Sequence, residues 1–152
     1  MGTLAERFRR AAALGPRDWF LIAEAWIELA RAGAALRFNP ARAVRGVLDQ
    51  RPATQSSEHD LPPQLLEMFL IAARYNVFNV SCLPKALALK RMLERRRFSP
   101  ALRIGARTEA GTLMGHAWIE IDDVPFNDSA DVAVRYPPLE IGEAGLATWT
   151  SQ

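Results

Sequence analysis

The apolar residues of this chain change period at Pro100, from helical spacing before it to alternation after it, and that switch restricts the fold more than any other feature of the sequence. Over residues 16–36, Trp19, Phe20, Ile22, Ala23, Trp26, Ile27, Leu29 and Ala30 fall at helical spacing, which predicts a helix with Arg17, Glu24, Glu28 and Arg31 outside. Gly15-Pro16 and Phe38-Asn39-Pro40 bound it, and a short helix is expected over 41–48. Residues 51–63 are polar, rich in Ser and Pro, and read as a surface loop. Leu65, Met68, Phe69, Ala72 and Ala73 predict a second long helix that ends before Asn76. A third is predicted over 82–97, with Leu83, Ala86, Leu87, Leu89, Met92 and Leu93 inside and Arg91, Glu94, Arg95, Arg96 and Arg97 in solvent. Pro84 suits its first turn, where an N–H is not needed.

Beyond Pro100, alternation predicts strands over 101–107, 113–121 and 124–127, with turns at 109–111 and at Asp122-Asp123. The remainder, with Tyr136-Pro137-Pro138, reads as an irregular tail. Helices followed by an antiparallel meander make an α+β architecture, expected as one domain over 1–152. Within it, 1–80 form a helical part and 81–152 a helix and sheet.

With 49% apolar residues the chain is not a disordered one, and 19 basic against 17 acidic residues give a net charge of +2, too mild to indicate a nucleic-acid partner. Cys82 is the single cysteine, so neither an intrachain disulfide nor a paired thiolate metal site can form. The expected setting is a reducing one, the cytoplasm. His59 and His116 are too few for a histidine-rich metal site, and no metal or cofactor is expected. His59, beside Asp60 in the polar loop, reads as a surface residue. The N-terminus lacks an uninterrupted apolar run, and Glu24 and Glu28 interrupt the most apolar stretch, so neither a signal peptide nor a membrane span is expected.

Cys82 is placed at the start of the third helix, with Ser81 at or next to the cap. Unpaired N–H groups and the helix dipole favour an anion there, and hence a thiolate. On the second strand His116, Trp118 and Glu120 face one side, and Ala117, Ile119 and Ile121 the other. Asp128 follows a turn at Asp122. A three-residue connection would set Asp128 opposite His116 on the same face, whereas a two-residue turn at Asp122-Asp123 would set it on the other face. A nucleophile, a base and a group that orients the base are then present in the order Cys82, His116, Asp128. The Cys82 backbone N–H would supply part of an oxyanion hole, with Asn79 or Asn76 as candidates for a second donor. Trp118 is a candidate for lining the substrate groove, with core packing its favoured role.

The stretch NVSCLPKALALKRMLERR together with GHAWIEIDDVPFND resembles the transglutaminase-like cysteine proteases that remove leader peptides in lasso-peptide biosynthesis. The resemblance runs from about Cys82 to Asp128, and the family's triad falls on Cys82, His116 and Asp128. It implies a papain-like fold in which the cysteine helix packs on a small antiparallel sheet. It also implies hydrolysis of one peptide bond between the leader and core of a ribosomally made precursor. A separate ATP-dependent lasso cyclase would then close the freed core. Because residues 1–80 read as helices and not as a small leader-binding domain, a separate leader-recognition protein is the expected partner. A transglutaminase-like acyltransferase and a non-catalytic peptide-binding module are the alternatives.

Overall fold

The computed structural model describes residues 14–40, 42–43, 63–76 and 81–139. The elements among the described residues are the helices α1 (Pro16–Phe38), α2 (Pro63–Arg74) and α3 (Cys82–Glu94), followed by β1 (Ala101–Glu109), β2 (Thr112–Ile121), β3 (Val124–Pro125) and the short α4 (Val132–Arg135). The strands form one antiparallel sheet in the order β1-β2-β3. The arrangement is α+β, as the change of period at Pro100 requires. The helix expected over 41–48 and the loop over 51–63 lie largely outside the described residues, as does His59. The described residues of the former region, 42–43, are helical, with Ala43 N–H donating to Asn39 O at 3.0 Å.

Helix α1 begins at Pro16 with Gly15 as its cap, and Gly15 N–H donates to the Asp18 carboxylate at 2.9 Å, which ties the entering chain to the first turn. Its buried residues are Ile22, Ala25, Glu28, Leu29 and Ala32. The expected faces are therefore corrected. Glu28 is 1% exposed, whereas Phe20 is 68% and Ile27 57% exposed, and Trp19 and Trp26 are about half exposed. The reason lies 67 to 72 residues away, just past the end of α3: Arg95 Nη2 donates to Glu28 at 2.6 Å and Arg96 Nη2 to Glu24 at 2.7 Å. Arg31 and Arg91 also lie within 4 Å of Glu28. The expected solvated end of the third helix is thus an ion-pair seam against α1. Trp26 keeps its indole N–H bonded to Ala72 O at 3.0 Å, which ties α1 to α2.

Helix α3 ends at Glu94, short of the expected Arg97. Phe98 N–H donates to Leu93 O at 3.2 Å and Arg97 N–H to Glu94 O at 2.9 Å, with Arg97 at φ 65°. That is a Schellman stop with arginine where glycine is usual.

Both hairpins close with two-residue turns in the left-handed region, Ala110 (φ 49°) with Gly111 (φ 81°) and Asp122 (φ 51°) with Asp123 (φ 61°), the twist that suits tight hairpins. The main core gathers Ile22, Leu29, Leu65, Phe69, Leu87, Leu89, Met92 and Leu93 from the helices. Leu102 and Ile104 of β1 and Ala117, Ile119 and Ile121 of β2 join them. One sheet face is therefore spent on the helices. His116, Trp118 and Glu120 stand on the other.

Candidate catalytic site

β2 and β3 pair as Ile121 with Val124 and Glu120 with Pro125, the two-residue register. Continued, that register would turn Asp128 away from His116. The ladder stops first. Phe126 N–H still donates to Ile119 O at 2.8 Å, but Ile119 N–H is taken by Asn127 Oδ1 at 2.7 Å, where a continued strand would offer the Phe126 carbonyl. The third strand is thus two residues long, not the expected 124–127. The chain leaves the sheet at Asn127, and Asp128 swings onto the His116 face.

There Asp128 Oδ2 meets His116 Nε2 at 2.6 Å, with the two side chains 19% and 25% exposed. Oδ1 accepts from Ser129 N–H at 2.8 Å and from Arg135 Nη2 at 2.9 Å. Burial pushes the Asp128 carboxyl up, but hydrogen bonds from His116 and the Ser129 backbone, with the charge of His116, outweigh it and hold the group below its ordinary range. With Nε2 given to Asp128, Nδ1 is the ring nitrogen left to work on a reacting group.

Cys82 is the first residue of α3, half-buried, after an extended Ser81 (φ −67°, ψ −178°) whose side chain makes no capping bond. Its own N–H and that of Leu83 belong to the first turn, which has no intrahelical acceptors, and Pro84 has no N–H to place. Helix α3 packs on β2 and, less extensively, on β1. The structure thus brings His116 and Asp128 together, and among the described residues no hydrogen bond joins Cys82 to His116. Asn76 follows α2 as a half-buried residue, and Asn79 lies outside the described residues. Trp118 is 0% exposed and donates through its indole N–H to Glu120 at 2.9 Å, so it packs beside His116 and offers no surface to a substrate. Glu120 in turn accepts from Arg103 Nε at 2.7 Å. No three His, Cys, Asp or Glu side chains gather to hold a metal among the described residues.

The expected irregular tail is corrected over 132–139, and 140–152 lie outside the described residues. After α4 the chain returns to the outer edge of β1, where Ala106 N–H donates to Pro137 O at 3.3 Å and Leu139 N–H to Ile104 O at 2.9 Å. Gly105 permits this, since a Cβ there would stand 2.3 Å from Tyr136 O. Gly105 is also the cross-strand partner of His116, so the space a side chain would fill is given to Tyr136, whose ring lies 4.8 Å from the imidazole. Tyr136 and Arg135 are site residues the sequence reading missed. The available signal was a lone glycine inside a strand, which marks close backbone approach.

The sequence model of the transglutaminase-like superfamily matches residues 25–140, most of the chain. The chain belongs to the transglutaminase-like superfamily. This superfamily covers cysteine proteases and acyltransferases. Neither a curated protein nor a solved structure matches the chain. A transglutaminase-like domain with helices ahead of a three-strand antiparallel sheet is the fold observed, and α3, β2 and the loop after β3 are the elements that carry Cys82, His116 and Asp128. No described helix is long and apolar enough to cross a membrane.

Proposed function

We propose that this transglutaminase-like chain is a cysteine peptidase that cleaves the leader from a ribosomally made lasso-peptide precursor. The observation that carries the peptidase reading is the 2.6 Å pair of His116 Nε2 and Asp128, which leaves Nδ1 as the working nitrogen. The sequence resemblance over Cys82 to Asp128 supplies the substrate class.

In this reading the Cys82 thiolate attacks the carbonyl carbon of the scissile bond, aided by N–H groups of the first turn of α3. His116, protonated, gives its proton to the departing amine as the C–N bond breaks and a thioester forms. Water then attacks the thioester while His116 takes its proton, releasing the leader carboxylate and regenerating the thiolate. Asp128 holds the ring throughout. The partners in this reading are the precursor, a separate small leader-recognition protein and the ATP-dependent cyclase that consumes the freed core amine. The setting is the reducing cytoplasm. An acyltransferase would use the same thioester and pass it to an amine.

The test needs no precursor. Iodoacetamide alkylation of Cys82 is followed from pH 5 to 9 in the wild type and in His116→Ala. The expected result is rapid alkylation at pH 7 that slows at least tenfold in His116→Ala. A thiol that reacts only once the protein is unfolded, or one indifferent to His116, would overturn the reading. With a precursor in hand, hydrolysis abolished in a folded Cys82→Ala separates the enzyme from a binding module, and added amine appearing in the product identifies acyl transfer.

A further inference from the structure

We infer that Arg135 and Tyr136 are positioning residues that hold the His116–Asp128 pair in one tautomer and one orientation, an inference that rests on the peptidase reading for its catalytic meaning. Asp128 could turn about its side chain if only Oδ2 were bonded. Its Oδ1 is instead held by Arg135 Nη2 at 2.9 Å and by Ser129 N–H at 2.8 Å. The same Nη2 donates to Ser129 Oγ at 2.6 Å, and Arg135 Nε lies 3.3 Å from Asp131 Oδ2. One guanidinium therefore closes the turn over 128–131 on itself. A lysine at 135 would bring the charge without the fork.

Tyr136 acts on the other partner. Its ring is tilted 35° to the imidazole at 4.8 Å, and Trp118 stacks at 6.1 Å, so the imidazole has an aromatic neighbour from each of two elements. The Tyr136 ring is itself held by cations, with Arg107 Cζ 4.8 Å and Arg135 Cζ 5.9 Å from its centroid. The Tyr136 carbonyl lies over Gly105, and the residues that follow it, Pro137 through its carbonyl and Leu139 through its N–H, bond to β1. Position thus passes from the β1 edge through Tyr136 to the ring, and from Arg135 to the carboxylate. Residues 128 to 136 are a single brace that reaches both members of the pair from outside the sheet.

The experiment uses the full chain labelled with nitrogen-15 at histidine. The chain has two histidines, and His59→Gln assigns their ring signals. The wild type is expected to show neutral His116 as the Nε2–H tautomer. Tyr136→Phe keeps the ring and is expected to keep that tautomer. Tyr136→Ala and Arg135→Ala are expected to show averaged tautomers and to slow Cys82 alkylation by iodoacetamide about tenfold, within the loss that misplacing a reacting group by an ångström produces. Should either alanine variant fail to fold, Tyr136→Leu and Arg135→Lys carry the same expectation. A fixed Nε2–H tautomer in the folded variants would overturn the inference. If alkylation of the wild type proves indifferent to His116, the peptidase reading falls, and the tautomer still decides whether Arg135 and Tyr136 hold the ring.

Discussion

Gly105→Ala should disturb the site from the neighbouring strand, although it adds one methyl group and replaces none of Cys82, His116 or Asp128. A Cβ at 105 would stand 2.3 Å from Tyr136 O and 2.9 Å from Pro137 O, against the 3.4 Å at which contact becomes ordinary. Both obstacles are backbone, so the segment must withdraw by about 1 Å or the strand must bend. Withdrawal stretches the bonds of 3.3 Å (Ala106 to Pro137) and 2.9 Å (Leu139 to Ile104), each contributing about 1 kcal/mol. Against this, alanine restricts the unfolded chain and returns roughly 0.4–1 kcal/mol. The net loss is about 1–2 kcal/mol, which for a chain of this size lowers Tm by roughly 3–6 °C. Thermal unfolding followed by circular dichroism measures it, and two-dimensional NMR cross-peaks between the Tyr136 and His116 rings report the local effect. The expected outcome is a lowered Tm and the disappearance of those cross-peaks. An unchanged or raised Tm with the cross-peaks still present would show that the 136–139 segment is not held by its approach to Gly105, and the reasoning would fail.

Glu28→Ala should cost about 2–3 kcal/mol in urea denaturation, since it strips charged hydrogen bonds from a fully buried carboxylate. Glu28→Met should cost under about 1 kcal/mol, because Oε2 makes no hydrogen bond and the guanidiniums of Arg31, Arg91 and Arg95 can return to water. Equal losses in the two variants would contradict this. Arg97→Gly should stabilise by about 1 kcal/mol by relieving a left-handed arginine, read from the urea midpoint. Acid should destabilise the protein through Glu24 and Asp128, both held below their ordinary values of 4.5 and 3.8. Burial raises each, and the bonds from Arg96 and Arg95 to Glu24 and from His116 and Ser129 to Asp128 outweigh it. A depressed folded value means the stabilisation is complete above the ordinary value and is lost as pH falls below it toward the folded one. Glu24→Gln with Asp128→Asn should therefore flatten the stability curve below about pH 4.5, and a slope like that of the wild type would refute the assignment.

The elements were legible where a local rule decides them. The change of period at Pro100, the breaks at Gly15-Pro16 and the turn at Asp122-Asp123 each place a boundary to within a few residues. The inward face of α1 was not legible. Amphipathic spacing sends every charge outward, but Glu28 is buried and Glu24 partly buried because Arg95 and Arg96 arrive from just past the end of a helix about 70 residues later. His116 and Asp128 were readable as chemistry but not as geometry. Hairpin arithmetic offered two registers, and the structure takes the one that should separate the pair. It escapes the consequence through the Asn127 side chain, which ends the ladder after two rungs. No periodicity records such an event. Helix α4 has four residues, too few for a period, and Tyr136 acquires its role only because Gly105 lies opposite His116.

The two halves of the proposed machinery are built by different physics. His116, Asp128, Arg135 and Tyr136 fall within 21 residues of one another and are assembled by turns, a side chain that replaces a strand carbonyl, and one glycine. Little of the helical core enters. Cys82 comes from the start of α3, whose burial against Ala117, Ile119 and Ile121 depends on that core. The placement of Cys82 is therefore set by helix packing on one sheet face, and the orientation of His116 by the loop on the other. Damage to the helices would move Cys82 and leave the His116 tautomer intact, whereas damage to the 128–139 segment would release the tautomer and leave Cys82 in place. β2 is the element common to both. Its alternation, with Ala117 and Ile119 to the helices and His116 and Trp118 to the loop, is what lets a single strand answer to two kinds of support.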